Sequence, residues 1–226
     1  MKILITGAQL QLPQDLANTL SPTHDVTLTD SALNHTPETN DLVRGTDVII
    51  HSGAIDPAAT ASDQLDSQMR CIYNLLLAAT EEGVPRLIFL SSLQLMNGHA
   101  PDLAVTERWK TTPTTDLPVL CYHLGEMVCR EYAREGKINV VVLRLGEITP
   151  ESSTNPSTSA LYMDDTANAV EKALAIETSD WAYVMGSGSV RYSASTAEIG
   201  ADSSFGHVFL GGAHSPEAES DPALDL

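Results

Sequence analysis

Basic residues are scarce in this sequence. Only 12 lysines and arginines stand against 30 aspartates and glutamates, which gives the 226 residues a formal net charge of -18. A surface this acidic repels the phosphates of nucleic acids and of anionic lipids, so neither nucleic acid nor membrane is expected as a partner. Two explanations of the acidity stay open, a solubilising surface and adaptation to high salt.

Cysteines and long apolar runs are scarce as well. The three cysteines, Cys71, Cys121 and Cys129, form no CxxC motif, which predicts buried reduced thiols. The seven histidines show no metal-ligand spacing, so no metal site is expected. No apolar run reaches the length of a membrane span, and no signal sequence precedes the first strand-like segment. The sequence therefore predicts a cytoplasmic protein.

The N-terminal run MKILITGAQLQLP is the strongest fold signal. Its apolar residues, Ile3 to Thr6, predict a strand buried on both faces, as in a parallel sheet. Gly7 follows at once and leads into a helical pattern, which is how a nucleotide-binding βαβ unit begins. Two later positions where such a turn carries further glycines hold Leu10 and Pro13 instead.

Strand-like and helical segments alternate along the chain. The strand-like segments are Ile3–Thr6, Val26–Thr29, Asp47–His51, Arg86–Ser91, Asn139–Arg144 and Ala182–Met185. The helical segments are Pro13–Leu20, a long helix ending near Gly83, another ending at Gly136 and a third after Asp164 and Asp165, which are expected to cap it rather than bind metal. This alternation predicts an α/β fold with a doubly wound parallel sheet of the Rossmann type.

Ligands of such a sheet bind outside the carboxyl ends of its strands, so the residues that follow each strand are the candidate binding residues. They are Gly7, Ala8, Asp30, Ser52, Gly53, Ala54, Ser91, Ser92, Leu145 and Gly146. Asp30 ends the second strand, where a carboxylate accepts hydrogen bonds from ribose hydroxyls and repels a 2′-phosphate, which favours NAD over NADP. The alternative is that Asp30 only begins the next turn. His51 closes a buried strand and is interpreted as a hydrogen-bonded core histidine.

Several blocks of the sequence, in order, are similar to those of the extended short-chain dehydrogenases/reductases, the NAD-dependent epimerase/dehydratase family. The turn ITGAQLQLP resembles ITGxxGxxG, TDVIIHSGA resembles DxVxHLAA, and GVPRLIFLSS resembles GVKRFVYxSS. Towards the C-terminus, VVVLRLGEITP resembles VxxLRPGNVYGP and MDDTANAVEKAL resembles VDDVAxAxxxAL. The resemblance implies residues 1–206 as an NAD(P)-binding domain, with a reduced substrate-side region over 149–206. Residues 207–226 are predicted to be an acidic, disordered tail.

The resemblance also implies a catalytic set, which this chain departs from. Tyr122 matches the tyrosine that exchanges a proton with substrate, and the lysine one helical turn later is replaced by Glu126. A carboxylate there is expected to raise the pKa of the tyrosine. The hydroxyl position falls on Leu93, although a shift of one residue would place Ser92 or Ser91 there. Gln68 matches an asparagine of the proton relay, and Leu10 faces the pyrophosphate, where its side chain opposes standard binding.

Two functional hypotheses follow from the resemblance. The first is an NAD-dependent oxidoreductase or epimerase that acts on a small polyhydroxy or sugar-type substrate through Tyr122. The second is a non-catalytic descendant that binds a dinucleotide or a protein partner. Family members dimerise through two long helices, which here span residues 64–80 and 122–134, so a homodimer is expected.

Overall fold

The fold is described from a computed structural model of the chain. It describes residues 1–100, 105, 109–150, 152–153 and 159–176, together with the backbone of 181–187 and 206–211. Within these ranges no helix is long and apolar enough to cross a membrane.

A seven-stranded parallel sheet forms the centre of the molecule, in the order β2-β1-β3-β4-β5-β8-β9. Its strands are β1 (Lys2–Thr6), β2 (Asp25–Thr29), β3 (Val48–Ser52), β4 (Arg86–Ser92), β5 (Asn139–Leu145), β8 (Trp181–Ser187) and β9 (Gly206–Gly211). The predicted Rossmann-type α/β sheet is confirmed, with each predicted strand within one or two residues of its observed bounds. β2 lies on one side of β1 and β3 on the other, so the direction in which strands are added reverses between β1 and β3. Ligands of such sheets bind in the crevice at this switch point.

Helices cover both faces of the sheet. They are α1 (Gln11–Leu20), α2 (Pro37–Val43), α3 (Ala61–Asp66), α4 (Ile72–Glu81), α5 (Leu117–Arg134) and α6 (Met163–Ala175). The helix predicted from Pro13 begins two residues earlier, at Gln11, because proline is tolerated in a first turn, whose N–H groups have no intrahelical acceptor. The predicted cap of α6 is wrong, since Asp164 and Asp165 lie inside its first turn.

Strand side chains alternate between two apolar layers. Ile3, Ile5 and Ile50 face α1 and α6 in one layer, whereas Leu4 and Phe89 face α2, α4 and α5 in the other. All these side chains are almost fully buried. Burial on both faces is what the uninterrupted apolar runs of the strands predict.

The three cysteines are free thiols, as predicted, but the predicted burial holds for only two of them. Cys121 and Cys129 are buried and Cys71 is half-buried. Burial raises the pKa of the Cys129 thiol, with a smaller contribution from the nearby charge of Glu126. A thiol held protonated in this way is a poor nucleophile.

Two strand pairings were not predicted from the sequence. A two-stranded sheet joins β6 (Glu147–Ile148) to β7 (Ala160–Leu161), on either side of residues 149–159. Strand β9 pairs with β8 and includes residues 207–211, so the predicted boundary of the disordered tail falls within a strand. Residues 212–226 lie outside the described part of the chain.

Candidate functional site

The turn after β1 keeps the geometry of a phosphate-binding turn. Gly7 has a φ of 87°, a conformation that side-chain-bearing residues rarely adopt. The N–H groups of Gly7 and Ala8 both donate to the carbonyl of Thr29, at 3.0 Å, which fixes this turn to the end of β2. Helix α1 then begins at Gln11 and has no acidic residue in its first turn. The amino-terminal end of α1 therefore points its free N–H groups at the crevice without a repelling carboxylate.

Leu10 and Pro13, which replace the two missing glycines, pack against this turn. Leu10 Cδ1 lies 3.7 Å and Pro13 Cγ 3.5 Å from the place where a β-carbon on Gly7 would stand. Pro13 removes one N–H from the first turn of α1, which leaves those of Gln11 and Leu12. The turn retains two backbone donors for a phosphate, with apolar bulk beside them.

Asp30 follows β2 at the same edge of the sheet and is exposed. Strand β2 pairs with β1 along its whole length, from Lys2 with Asp25 to Thr6 with Thr29. Asp30 directly follows Thr29, whose carbonyl accepts from Gly7 and Ala8, so its backbone lies next to the Gly7 turn.

Gly53 follows β3 on the opposite side of the crevice, and its surroundings leave no room for a side chain. A β-carbon there would lie 2.6 Å from Phe89 Cζ and 2.9 Å from both the Leu90 carbonyl oxygen and Tyr122 Cδ1. Its N–H donates to the Leu90 carbonyl at 2.9 Å, and Ser52 Oγ accepts from the N–H of Ala54 at 3.2 Å. The loop that lines the crevice is thus held close to the sheet.

His51 links the adjacent strands β1 and β3 near their carboxyl ends. Its Nδ1 lies 2.7 Å from Thr6 Oγ1, and its ring stacks on Phe89 with centroids 6.0 Å apart. Its Nε2 is buried without a hydrogen-bond partner among the residues that the structure describes. The prediction of a core histidine is thus met at one ring nitrogen only.

The buried position of His51 makes the stability depend on pH. Burial lowers the pKa of His51 to about 4, against about 6.5 in an unfolded chain. As the pH falls from about 6.5 to about 4, the unfolded state binds a proton that the native state refuses, so the free energy of unfolding drops by about 3 kcal/mol. Urea unfolding of the wild type and His51→Gln at pH 7, 5.5 and 4 measures this slope. Parallel curves for the two proteins would contradict it.

Gln68 lies in a π-helical turn, Ser67–Cys71, which joins α3 to α4 where the sequence predicts one continuous helix. Its Oε1 is buried without a partner among the described residues and lies 3.2 Å from the β-carbon position of Gly125. Single π-helical turns often mark functional sites. The same β-carbon position of Gly125 lies 2.6 Å from Phe89 Cζ, so the amide of Gln68 lies near the ring of Phe89.

Tyr122 lies on the first turns of α5 with its ring against Gly53. Burial raises the pKa of Tyr122 to about 12, with a smaller contribution from Cys121. The predicted direction of the shift is confirmed, but the predicted cause is wrong. Glu126 does not produce the shift, because its charge is neutralised by an arginine.

That arginine is Arg144 of β5, and together with Ser91 it holds Glu126 in a buried cluster. Arg144 donates from Nε to Glu126 Oε1 at 2.9 Å and from Nη2 to Oε2 at 2.7 Å. Ser91 Oγ donates to Oε1 at 2.6 Å. The side chains of Arg144 and Glu126 are only 3% and 5% exposed. Ser91 is a predicted cofactor-binding residue, but its hydroxyl donates a hydrogen bond to Glu126 of α5.

The remaining predicted residues lie at or just after the ends of β4 and β5. Leu93 is buried with Met96 and Val105, and Trp109 packs against that cluster. Ser92 is half-buried, and its hydroxyl accepts from the N–H of Gln94 at 3.2 Å. Leu145 is buried, and Gly146 follows it at the edge of the crevice. The structure thus places Gly7, Ala8 and Asp30 after β1 and β2, and Gly53 and Ala54 after β3, with the ring of Tyr122 against Gly53.

Sequence reasoning missed Arg144 as a determinant of the site. An arginine inside the apolar run VVVLRL needs a buried acid, because an unpaired buried charge is very costly. Glu126 is the only acidic residue among the buried residues of α5. The arginine in this apolar run is thus the sequence signal that could have identified Glu126 as a structural partner.

The fold, the glycine turn and the crevice at the strand reversal define a dinucleotide-binding type of α/β domain. A sequence profile of the NAD dependent epimerase/dehydratase family matches residues 4–192. The chain belongs to this family.

Uronate dehydrogenases are among its similar proteins. The enzyme of Pseudomonas syringae pv. tomato is 26% identical over 192 residues, which cover 76% of this chain and 69% of that one. The crystal structure of uronate dehydrogenase from Agrobacterium tumefaciens matches with a TM-score of 0.71 at 22% identity, over 81% of this chain and 75% of that chain. UDP-N-acetylglucosamine 4-epimerase from Bacillus cereus matches with a TM-score of 0.67 at 17% identity, over 82% and 78%.

Proposed function

We propose that this protein binds NAD in the crevice between β1 and β3 and is an oxidoreductase for sugar-acid-type substrates. The observation that carries the proposal is the pair of glycine turns on either side of the strand reversal: Gly7 has a φ of 87°, and the surroundings of Gly53 leave no room for a β-carbon. Backbone that must pass this close to its surroundings is what a dinucleotide site requires.

The residues around the crevice fit a dinucleotide. The N–H groups of Gln11 and Leu12 would hold the pyrophosphate, and the carboxylate of Asp30 would accept from the hydroxyls of the adenosine ribose. Bound NAD would supply the hydride acceptor. Leu10 adds bulk beside the phosphate, so we expect an affinity below that of a turn with three glycines.

The substrate class rests on the relatives. Uronate dehydrogenases stand among the similar curated proteins and among the similar structures, and both point to a sugar acid. Hydride transfer to NAD releases a proton from the substrate hydroxyl, and the Tyr122 phenol, which stays protonated at neutral pH, could accept that proton only after losing its own to solvent. Tyr122 would therefore donate hydrogen bonds to a substrate oxygen at neutral pH, and would act as a base only in strongly alkaline solution.

A second function, dinucleotide binding without turnover, is favoured by the state of the catalytic set. Leu93 presents no hydroxyl, and the carboxylate of Glu126 is fully used by Arg144 and Ser91. The position one helical turn after Tyr122, where the family mechanism places a lysine, holds Glu126. NADH formation from a panel of uronates separates the two functions: turnover supports the oxidoreductase, and NAD binding without it supports the binding protein.

Asp30 is expected to set the preference for NAD. Ligands that bind the native state raise the thermal midpoint, so millimolar NAD should shift the wild-type midpoint upwards and NADP should shift it less. In Asp30→Ala the NAD shift should shrink and the difference between the cofactors should disappear, because the ribose acceptor and the repulsion of the 2′-phosphate are both lost. Differential scanning fluorimetry measures these shifts.

Asp25→Ala is the matched control, since Asp25 lies at the other end of β2. It should leave both shifts unchanged. Equal NAD and NADP shifts in the wild type would contradict the role of Asp30, and no shift with either cofactor would contradict the proposed function.

We further propose a homodimer formed through the outer faces of α4 and α5. Met69 in the π-helical turn before α4, Tyr73 on α4 and Met127 on α5 are 45%, 49% and 49% exposed. These are three of the five large exposed hydrophobic side chains among the described residues. Large exposed hydrophobic side chains on neighbouring helices are typical of an interaction surface.

Replacing the methionines of this surface with acidic residues should dissociate the dimer. The wild type is expected to sediment as a dimer at tens of micromolar, and more completely as salt screens the charge of -18 on each copy. Met69→Glu combined with Met127→Glu should give a monomer, whereas Ile148→Glu, at an exposed site outside these helices, should not. A wild type that stays monomeric at high concentration and high salt would refute the interface.

A further inference from the structure

Helix α5 is anchored to the sheet through Glu126. Both carboxylate oxygens are bonded, Oε1 to Ser91 and Arg144 and Oε2 to Arg144, and the pair is almost completely buried. A side chain at position 126 therefore points into the sheet between β4 and β5. It cannot contact a ligand in the crevice without breaking this cluster.

Tyr122 stands one helical turn nearer to the crevice. Four residues of an α-helix span about 6 Å, so Tyr122 lies about that much closer to the amino-terminal end of α5 than Glu126 does. Its ring meets the backbone of Gly53, which follows β3 at the strand reversal. On this side of α5, Tyr122 is thus the first residue to reach the crevice. Pro118 lies one helical turn further towards the amino-terminal end.

We propose that the residues of α5 are shifted by one helical turn from the positions that the resemblance assigns to them, so that Tyr122 contacts the bound dinucleotide. We call this the shifted register. In this register Glu126 is a structural tie, and Tyr122 occupies the place of the ribose-binding lysine. Pro118 occupies the place of the tyrosine that exchanges a proton. The inference rests on the proposed dinucleotide site and favours its second function, because no phenol remains at the proton-transfer position.

The two registers differ in what Tyr122 touches, and NAD affinity distinguishes them. In the shifted register Tyr122→Ala removes an aromatic contact with the nucleotide and should weaken NAD binding about tenfold in isothermal titration calorimetry. Tyr122→Lys places an ammonium beside the ribose and pyrophosphate and should tighten binding at least threefold at low salt. Glu131→Ala, on the exposed side of the same helix, is the control and should match the wild type.

Each outcome decides between the registers. If Tyr122→Ala binds NAD within twofold of the wild type while remaining folded, the shifted register is wrong and Tyr122 faces substrate only. If Tyr122→Ala does not fold, Tyr122→Lys decides, since affinity at or below that of the wild type would overturn the proposal. Failure of the wild type to bind NAD or NADP would instead refute the proposed function itself.

Discussion

Replacing Glu126 with lysine is expected to unfold the protein or to cost most of its stability. The substitution would leave two cations in a buried site, where removing one partner of an ion pair already costs about 3–5 kcal/mol. Domains of this size are stable by about 5–15 kcal/mol, so such a loss is a large part of the total. Urea unfolding measures it. If Glu126 instead faced the crevice in the position of the family's lysine, the lysine variant would be tolerated.

Glu131→Lys is the matched control for this experiment. It makes the same change of charge on the same helix, but the pair between Glu131 and Arg134 is exposed, and such pairs contribute about 1 kcal/mol or less. Glu126→Met and Arg144→Met should each be strongly destabilising, and the double variant should lose less than the sum of the two. A cost below about 1 kcal/mol for Glu126→Lys would contradict a structural role.

Gly53→Ala is expected to have the second largest effect. The added β-carbon would stand 2.6 Å from the buried ring of Phe89 and 2.9 Å from the Leu90 carbonyl oxygen, and neither can move away freely. Overpacking of this kind costs about 1–3 kcal/mol, and the backbone that lines the crevice must shift to relieve it. We therefore expect both a lower unfolding midpoint in urea and the loss of the thermal shift produced by NAD.

Gly45→Ala separates crowding from backbone conformation. Gly45 has a φ of 71°, and a β-carbon there would meet nothing within 4 Å. Its replacement should cost about 1–2 kcal/mol through conformation alone and leave the NAD shift intact. If Gly53→Ala kept both wild-type stability and the wild-type NAD shift, the close approach at Gly53 would not be a constraint on this protein.

The sheet could be predicted from the sequence because its strands carry their own signal. Runs such as KILIT and VVVLRL are apolar on both faces, and Gly7 marks the turn after the first of them. Helix α2 and the π-helical turn around Gln68 could not be predicted from the sequence, since neither shows an apolar periodicity of its own. The π-helical turn interrupts one longer helical pattern, and local sequence does not encode where an extra residue is accommodated.

The catalytic set could be predicted in part. The positions of Gly7, Gly53 and Tyr122 around one crevice follow from strand order, which the alternation of elements predicts. The role of Glu126 does not follow from strand order. Its place four residues after Tyr122 on α5 does not indicate its partner on β5. Arg144 lies 18 residues further along the chain, and only the packing of α5 on the sheet brings the two charges together.

The faces of α4 and α5 were also predicted in part. In the sequence, Met69 is spaced with Ile72 and Leu76, and Met127 with Leu124 and Val128, as on one apolar helix face, which predicts burial against the sheet; both methionines are exposed. A methionine on a helix reads as core by its hydrophobicity alone, and periodicity cannot distinguish burial in the sheet from burial in a second copy.

Hydrogen exchange with and without NAD tests the location of the cofactor site most directly. Binding between β1 and β3 predicts slower exchange of the amides of Gln11, Leu12, Gly53 and Ala54 in the presence of millimolar NAD, with the amides of the distant Gly45 turn unchanged. Protection confined to other parts of the chain, or none at saturating NAD or NADP, would contradict a dinucleotide site at this crevice.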